Sequence, residues 1–190
     1  MRDVDQIRLT LRPAVRRGDP RVLVTMRDAA ARWQVARGIA QWRVGELTEA
    51  HFRRRTTVGE VWIAVEAGSG RCAGAWELWW EDPPTWGVQR EPAGHVHRLM
   101  VDRDVAPPGT GRRLLASAER RILETGRLLA RLDCAHHNEG LRAYYRAAGY
   151  REVGVCPDSW PSGYPVTLFE KRLGAGGEAV LDGGATVVRR

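Results

Sequence analysis

The chain reads as a mixed α/β (α+β) sandwich, and three observations in its 190 residues predict that class. Strand-like and helix-like runs follow one another in the order β-α-α-β-β-β-α-β-α-β-β. A strand–helix–strand crossover from His95 through Cys134 demands a parallel pair inside an otherwise antiparallel sheet. No internal repeat or interdomain linker interrupts the sequence, and its length suits one domain with a real core. Residues 1–173 are therefore read as a single domain and residues 174–190, rich in glycine, as a mobile tail.

Each element has its own signal. Ile7–Arg12 alternates cleanly and stops at Pro13, a first strand. Asp19-Pro20 starts a helix as an N-cap followed by proline at N1, with apolar positions at Val24, Ala31, Val35 and Ile39 and Gly38 as a candidate break. A second helix opens near Thr48 and runs through Ala50, His51 and Phe52. Val61–Glu66 is a strand, Gly-Ser-Gly-Arg a hairpin turn, and Cys72–Trp80 the returning strand. Glu81–Gly87 is a loop. His95–Val101 is the next strand, and its alternation sets His95, His97, Leu99 and Val101 on one side. A helix then opens with Arg112 and Arg113, carries Leu114, Ala118 and Ile122 toward the core, and ends at Gly126. Leu128–Cys134 is a buried strand, and Leu141–Ala148 a short helix stopped by Gly149. Tyr150–Val155 and Val166–Arg172 close the fold as an antiparallel pair joined by residues 156–165.

Composition narrows the function classes. The net charge is +7, and all but one of the 30 cationic side chains are arginine, Lys171 being the exception. Arginine forks hold phosphates in a bidentate way, which suits an anionic ligand. The arginines are dispersed, with no long basic run and no DNA-reading motif, so nucleic acid is disfavoured as a partner. No stretch approaches the ~20 apolar residues of a membrane span. Cys72, Cys134 and Cys156 are odd in number and lack metal-binding spacing, which predicts reduced thiols, no metal site and a cytoplasmic protein.

The stretch from His95 to Arg113 (HVHRLMVDRDVAPPGTGRR) joins a strand, a glycine turn and a basic helix start. Gly109 and Gly111 let the backbone approach a phosphate closely. The free N–H groups of the first helical turn point at it, and the helix dipole favours its charge. A helix entry with a tight turn is the bland alternative.

With those residues in that order, the sequence resembles the GNAT superfamily of acyl-CoA-dependent N-acyltransferases over about residues 7 to 172. The family pattern [Arg/Gln]-x-x-Gly-x-[Gly/Ala] is met by Gly109 and Gly111, with Ala106 departing at the first position. The pattern Asn-x₆-Tyr-x₃-Gly-[Phe/Tyr] is met in full by Asn138, Tyr145, Gly149 and Tyr150. The strand His95-Val-His97-Arg-Leu99-Met-Val101 is similar to that of the arylalkylamine N-acetyltransferases. The resemblance implies acetyl-CoA as co-substrate, with backbone from Leu99, Met100 and Val101 along the pantetheine arm. It places Gly109, Thr110, Gly111, Arg112 and Arg113 at the pyrophosphate and Asn138 beside the arm. It implies that His95 and His97 take part in removing the amine proton and that Tyr145 protonates the leaving thiolate.

The residues support those roles in chemical terms. A histidine with its usual pKa near ~6.5 accepts a proton directly or through water. A phenol with a pKa near ~10 keeps its proton at neutral pH and can donate late. Packed, satisfied histidines, a core-facing Tyr144 or Tyr145, and an Asn138 that simply caps the next helix are the structural alternatives. Trp42, Glu77, Trp79, Trp80 and Trp160 are the candidate acceptor-binding residues, with Glu81, Asp82 and Asp158 nearby. Aromatic walls with carboxylates suit a cationic amine.

The leading expectation is acetyl transfer from acetyl-CoA to a primary amine of a small, aromatic or antibiotic-like acceptor by direct attack. Two alternatives stand beside it: a macromolecular amine (protein N-terminus, lysine or aminoacyl-tRNA) and a non-catalytic CoA-binding module. Whether the chain forms a homodimer is left open.

Overall fold

The computed structural model describes residues 8–159 and 163–174. Its elements are β1 (Leu9–Pro13), α1 (Asp19–Val35), α2 (Glu49–Val58), β2 (Glu60–Glu66), β3 (Cys72–Trp79), α3 (Pro83–Trp86) and β4 (Ala93–Val101). Next along the chain are α4 (Thr110–Glu124), β5 (Leu129–Ala135), α5 (Glu139–Ala147), β6 (Arg151–Ser159) and β7 (Tyr164–Arg172). The sheet has the order β1-β2-β3-β4-β5-β7-β6. Its one parallel neighbour pair is β4–β5, as the crossover requires. The expected tail lies outside the described residues from 175 onward.

Four local readings are corrected. The N-cap of α1 is Gly18, with no side-chain cap. Asp19 instead turns to Arg12, accepting bonds of 2.7 and 2.8 Å from the guanidinium and one of 2.8 Å from the Arg16 N–H. A fork-on-carboxylate pair outcompetes a single capping bond. The helix also ends at Val35, short of Ile39. Finally, the span expected as a loop contains α3, opened by its two prolines, and α4 begins at Thr110 behind Gly109, whose φ of +82° only glycine adopts freely.

The sheet buries a different cluster on each face. On the α4 side, Trp76, Leu78, Val96, Leu114, Leu115, Ala118, Ile122 and Phe169 form an apolar core. Trp76 stacks on Trp62 at 5.5 Å and donates to the Ser117 hydroxyl at 2.9 Å. Gly94 is obligatory here, because a Cβ at that position would meet Ile122 at 2.3 Å. On the α1/α2 side, Leu23, Met26, Phe52, Val61, Ile63, Ala75 and Met100 form a second core. At the edge of the first cluster Lys171 is tied to Glu119 at 2.8 Å. The three cysteines are free. Among the described residues, no helix is long and apolar enough to cross a membrane.

β4 departs from simple alternation. Glu77 pairs with His97 and Ala75 with Met100, so Arg98 and Leu99 together oppose the single residue Trp76. That is a β-bulge. Arg98 sits at φ +47°, the single non-glycine residue with positive φ among those described. Such a conformation costs on the order of 1–2 kcal/mol. The bulge reverses the facing of the rest of the strand. His95 and His97 face the α1/α2 side, but Leu99 and Val101 pack against the α4-side core and Met100 enters the other. The expected shared side for all four residues therefore holds only for the two histidines.

Candidate active site

The sheet opens where the site residues gather. β5 and β7 share seven consecutive rungs, whereas β4 and β5 share three, from Ala93↔Leu129 to His95↔Arg131. Beyond His95 the two parallel strands part, leaving the β4 edge from Val96 to Val101 without a β5 partner. An exposed strand edge offers N–H and C=O groups to an extended ligand.

His97 lies at the start of this opening. Its Nε2 is 3.4 Å from the Asp82 carboxylate and its Nδ1 is 4.0 Å from that of Asp133. The Trp79 indole stacks on its ring at 3.9 Å. Burial raises the Asp82 carboxyl, but the neighbouring His97 outweighs this and holds it below the ordinary range. Burial raises the Asp133 carboxyl above its usual value. His97 is thus set between two carboxylates whose acidities are shifted in opposite directions. His95 differs. It is only 3% exposed, meets Trp86 edge-on at 5.5 Å, and its Nδ1 has no hydrogen-bond partner. Burial, and then the neighbouring His97, lower its pKa to about 4. It stays neutral at pH 7 and is a poor proton acceptor.

Asp82, His97 and Asp133 also bring one ligand atom each within 4.8 Å of one another, a set with the chemistry to hold a metal ion.

Glu77, expected to meet an acceptor, is fully buried. Its Oε2 accepts from Arg98 at 2.9 Å and from Trp79 Nε1 at 3.0 Å, with Arg55 Nε at 3.5 Å. Burial alone would raise this carboxyl, yet Arg98, His51 and Trp79 together bring it down to about 2. Arg55 lies 3.3 Å above the Trp79 ring, which completes a stack of guanidinium, indole and imidazole. The expectation for Glu77 is corrected on this ground, since its carboxylate is already engaged by cations of the protein. Trp79 lies beside His97.

The other expected acceptor residues are scattered. Trp42 lies on the α1/α2 side beneath Arg27, at 3.9 Å, and Arg27 pairs with Glu46 at 2.7 Å. Trp80 lies on the opposite face, packed on the α4-side core under Arg127 at 4.4 Å, so the structure does not bring it to Trp79. Trp160 and the side chain of Asp158 lie outside the described residues.

At the start of α4 the N–H groups of Gly111 and Arg112 find no acceptor among the described residues, while that of Thr110 is turned back to Pro107 at 3.3 Å. Arg112 and Arg113 are exposed. A Cβ at Gly111 would meet the Tyr144 hydroxyl at 3.1 Å. Tyr144 therefore reaches toward this turn, and its hydroxyl is unpaired. Tyr145 points the other way, into the core against Phe169 at 5.6 Å and Tyr150 at 6.1 Å. Burial, then Cys134, Tyr144 and Asp133, raise its phenol well above the usual value. Asn138 caps α5, accepting from the Leu141 N–H at 3.0 Å, and donates to Gln41 at 3.1 Å. Burial pushes the Cys134 thiol up to about 12 and Cys72 to about 11, so neither is a nucleophilic thiolate at neutral pH.

Sequence reading missed Asp133, Arg55, His51 and Arg98 as members of this group. Asp133 had a signal, being the lone acid in an otherwise buried strand pattern. Arg98 had none, because a bulge is invisible in an alternating sequence.

A splayed parallel pair, a glycine-led helix start beneath it and a histidine at the fork define an acyl-CoA-dependent transferase fold. The chain belongs to the acetyltransferase (GNAT) family, whose profile matches residues 27–150, and is by class an acyltransferase. It is 30% identical over 161 residues to the uncharacterized N-acetyltransferase YesJ of Bacillus subtilis (strain 168), covering 76% of this chain and 80% of that protein. The fold is similar to a GNAT acetyltransferase of Listeria monocytogenes, with TM-score 0.71 and 23% identity, covering 90% of this chain and 99% of the other. It is also similar to an aminoglycoside 6'-N-acetyltransferase complexed with coenzyme A, with TM-score 0.64 and 14% identity, covering 87% and 97% of the two chains.

Proposed function

We propose that this acetyltransferase moves an acetyl group from acetyl-CoA to a primary amine of a small acceptor by direct attack. The observation that carries the reading is the three-rung fork between β4 and β5, with His97 at its apex. The residues present fit acetyl-CoA: two unpaired N–H groups open α4, arginines flank them, and a free strand edge leads from there to His97. Bound there, acetyl-CoA supplies the activated acyl group. Gly109 to Arg113 take the pyrophosphate and the edge from Leu99 to Val101 pairs with the pantetheine arm, offering an N–H to the thioester oxygen.

His97 takes the proton of the ammonium acceptor, and Asp82 and Asp133 stabilise the imidazolium that results. The resemblance assigns to Tyr145 the proton given to the departing sulfur: its phenol keeps that proton far above neutral pH, and although packed in the core it lies within the field of Asp133, the carboxylate that also faces His97. His95 orders the strand and takes no proton. Trp79 walls the amine side through its aromatic face. Two high thiol pKa values argue for direct attack over an acyl-cysteine.

The acceptor is tested by following free thiol from acetyl-CoA across an amine panel, beside Tyr145→Phe and Tyr144→Phe. The expected outcome is turnover with small amines that falls ~10²-fold or more in Tyr145→Phe alone. The net charge of +7 favours a second reading, an anionic macromolecular acceptor such as an aminoacyl-tRNA. Binding of such an acceptor weakens steeply between low and moderate salt, whereas binding of a small amine does not.

A further inference from the structure

Glu77 has the most completely buried charge of the polar face, and no surface left for a ligand. One oxygen is held by Arg98 and Trp79, with Arg55 close by. The other lies 3.7 Å from His51 and has no hydrogen-bond partner. The carboxylate's partners are specific ones. Arg98 is the residue in left-handed conformation at the β4 bulge, and Trp79 is the ring stacked on His97. Glu77 pairs directly opposite His97 across the β3–β4 ladder. One buried carboxylate thus ties together the two departures that shape the site, the turn of the strand and the seat of the imidazole.

We infer that Glu77 is a positioning residue for acetyl transfer: it pins Arg98 in the bulge and Trp79 against His97, and contacts no substrate. The inference rests on the proposed roles of His97 and the β4 edge. A strained backbone residue persists only where its surroundings over-determine it, and here the determinant is a 2.9 Å ion pair to a carboxylate that is itself fully buried. Without it the bulge can relax toward regular pairing, which would turn Leu99 to Val101 by one register step and carry the free edge away from the thioester.

The test compares Glu77→Gln with the parent in the full chain, by amide hydrogen exchange and by kinetics. Protection of residues 96–101 is expected to fall ~10-fold or more while residues 129–135 keep theirs. Turnover is expected to fall ~10- to 100-fold with the KM of the amine within about twofold, since misplacement costs rate and not ground-state affinity. Glycine adopts the left-handed conformation without strain, so in an Arg98→Gly background the same Glu77→Gln change is expected to cost about threefold or less. A raised amine KM at unchanged kcat would make Glu77 an acceptor contact and overturn the inference, as would unchanged exchange in β4. Should Glu77→Gln fail to fold, Arg98→Gln, which removes the cation and leaves the carboxylate, is read by the same exchange criterion. If the parent protein acetylates no amine, the functional reading falls, and the exchange result alone still decides what Glu77 does.

Discussion

β3 and β4 present two faces built from alternate residues of the same strands, and the faces solve burial in opposite ways. On one, Trp76, Leu78 and Val96 meet α4 in an apolar core where a Cβ at Gly94 has no room. On the other, Glu77, Trp79, His95 and His97 stand beside Asp82, Arg55 and Arg98, so charges are buried and paired. Apolar contact is additive and tolerant of small shifts. A buried ionic network is all-or-nothing, because removing one member strands another. The core face therefore sets whether the protein folds, and the polar face sets what the folded protein can do.

That contrast predicts which substitutions show in activity and which in stability. The largest expected effect is His97→Gln, which lowers kcat/KM ~10²- to 10⁴-fold, whereas His95→Gln stays within about tenfold. Steady-state kinetics of the two side by side check this, and equal losses would break the distinction between them. Next, Trp76→Ala, on the core face, is expected to destabilise by ~3–5 kcal/mol in denaturant melts. Trp79→Ala, on the polar face of the same strand, costs clearly less stability and shows mainly in turnover. The smallest effect is on pH dependence. His95 titrates near 4 when folded, against ~6.5 when unfolded, so its neutral form favours the fold and that contribution drains away as pH falls from ~6.5 to 4. The loss is ~3 kcal/mol. Glu77, held at about 2, adds its own loss only lower, between its ordinary value near ~4.5 and 2. Melting curves of His95→Gln against pH should lack the upper step and keep the lower one.

Much of the architecture was legible because it rests on local chemistry. Alternation marked the strands, α2 does open at Thr48, whose hydroxyl accepts from the His51 N–H at 3.4 Å, and the crossover imposed the single parallel pair among the described residues. The glycine turn at Gly109 was legible for the same reason, since a left-handed cap needs glycine. The features that escaped depend on contacts far apart in sequence. Asp19 was taken from its capping role by Arg12, on a neighbouring strand. Glu77 read as an open carboxylate until Arg55 and Arg98 closed over it. The face of Leu99 and Val101 depended on a bulge, which follows from cross-strand pairing and leaves no trace in alternation. Sequence brought the two histidines together but gave no means of ranking them; burial and the two carboxylates did that.

The near-absence of lysine has a chemical consequence. Thioesters acylate free amines without any catalyst, while a guanidinium keeps its proton at all accessible pH and is inert toward them. This chain offers a thioester one side-chain amine, and Lys171 is paired with Glu119 at 2.8 Å. A protein that carries its positive charge as arginine can sit in a pool of reactive acyl donor without becoming its own substrate.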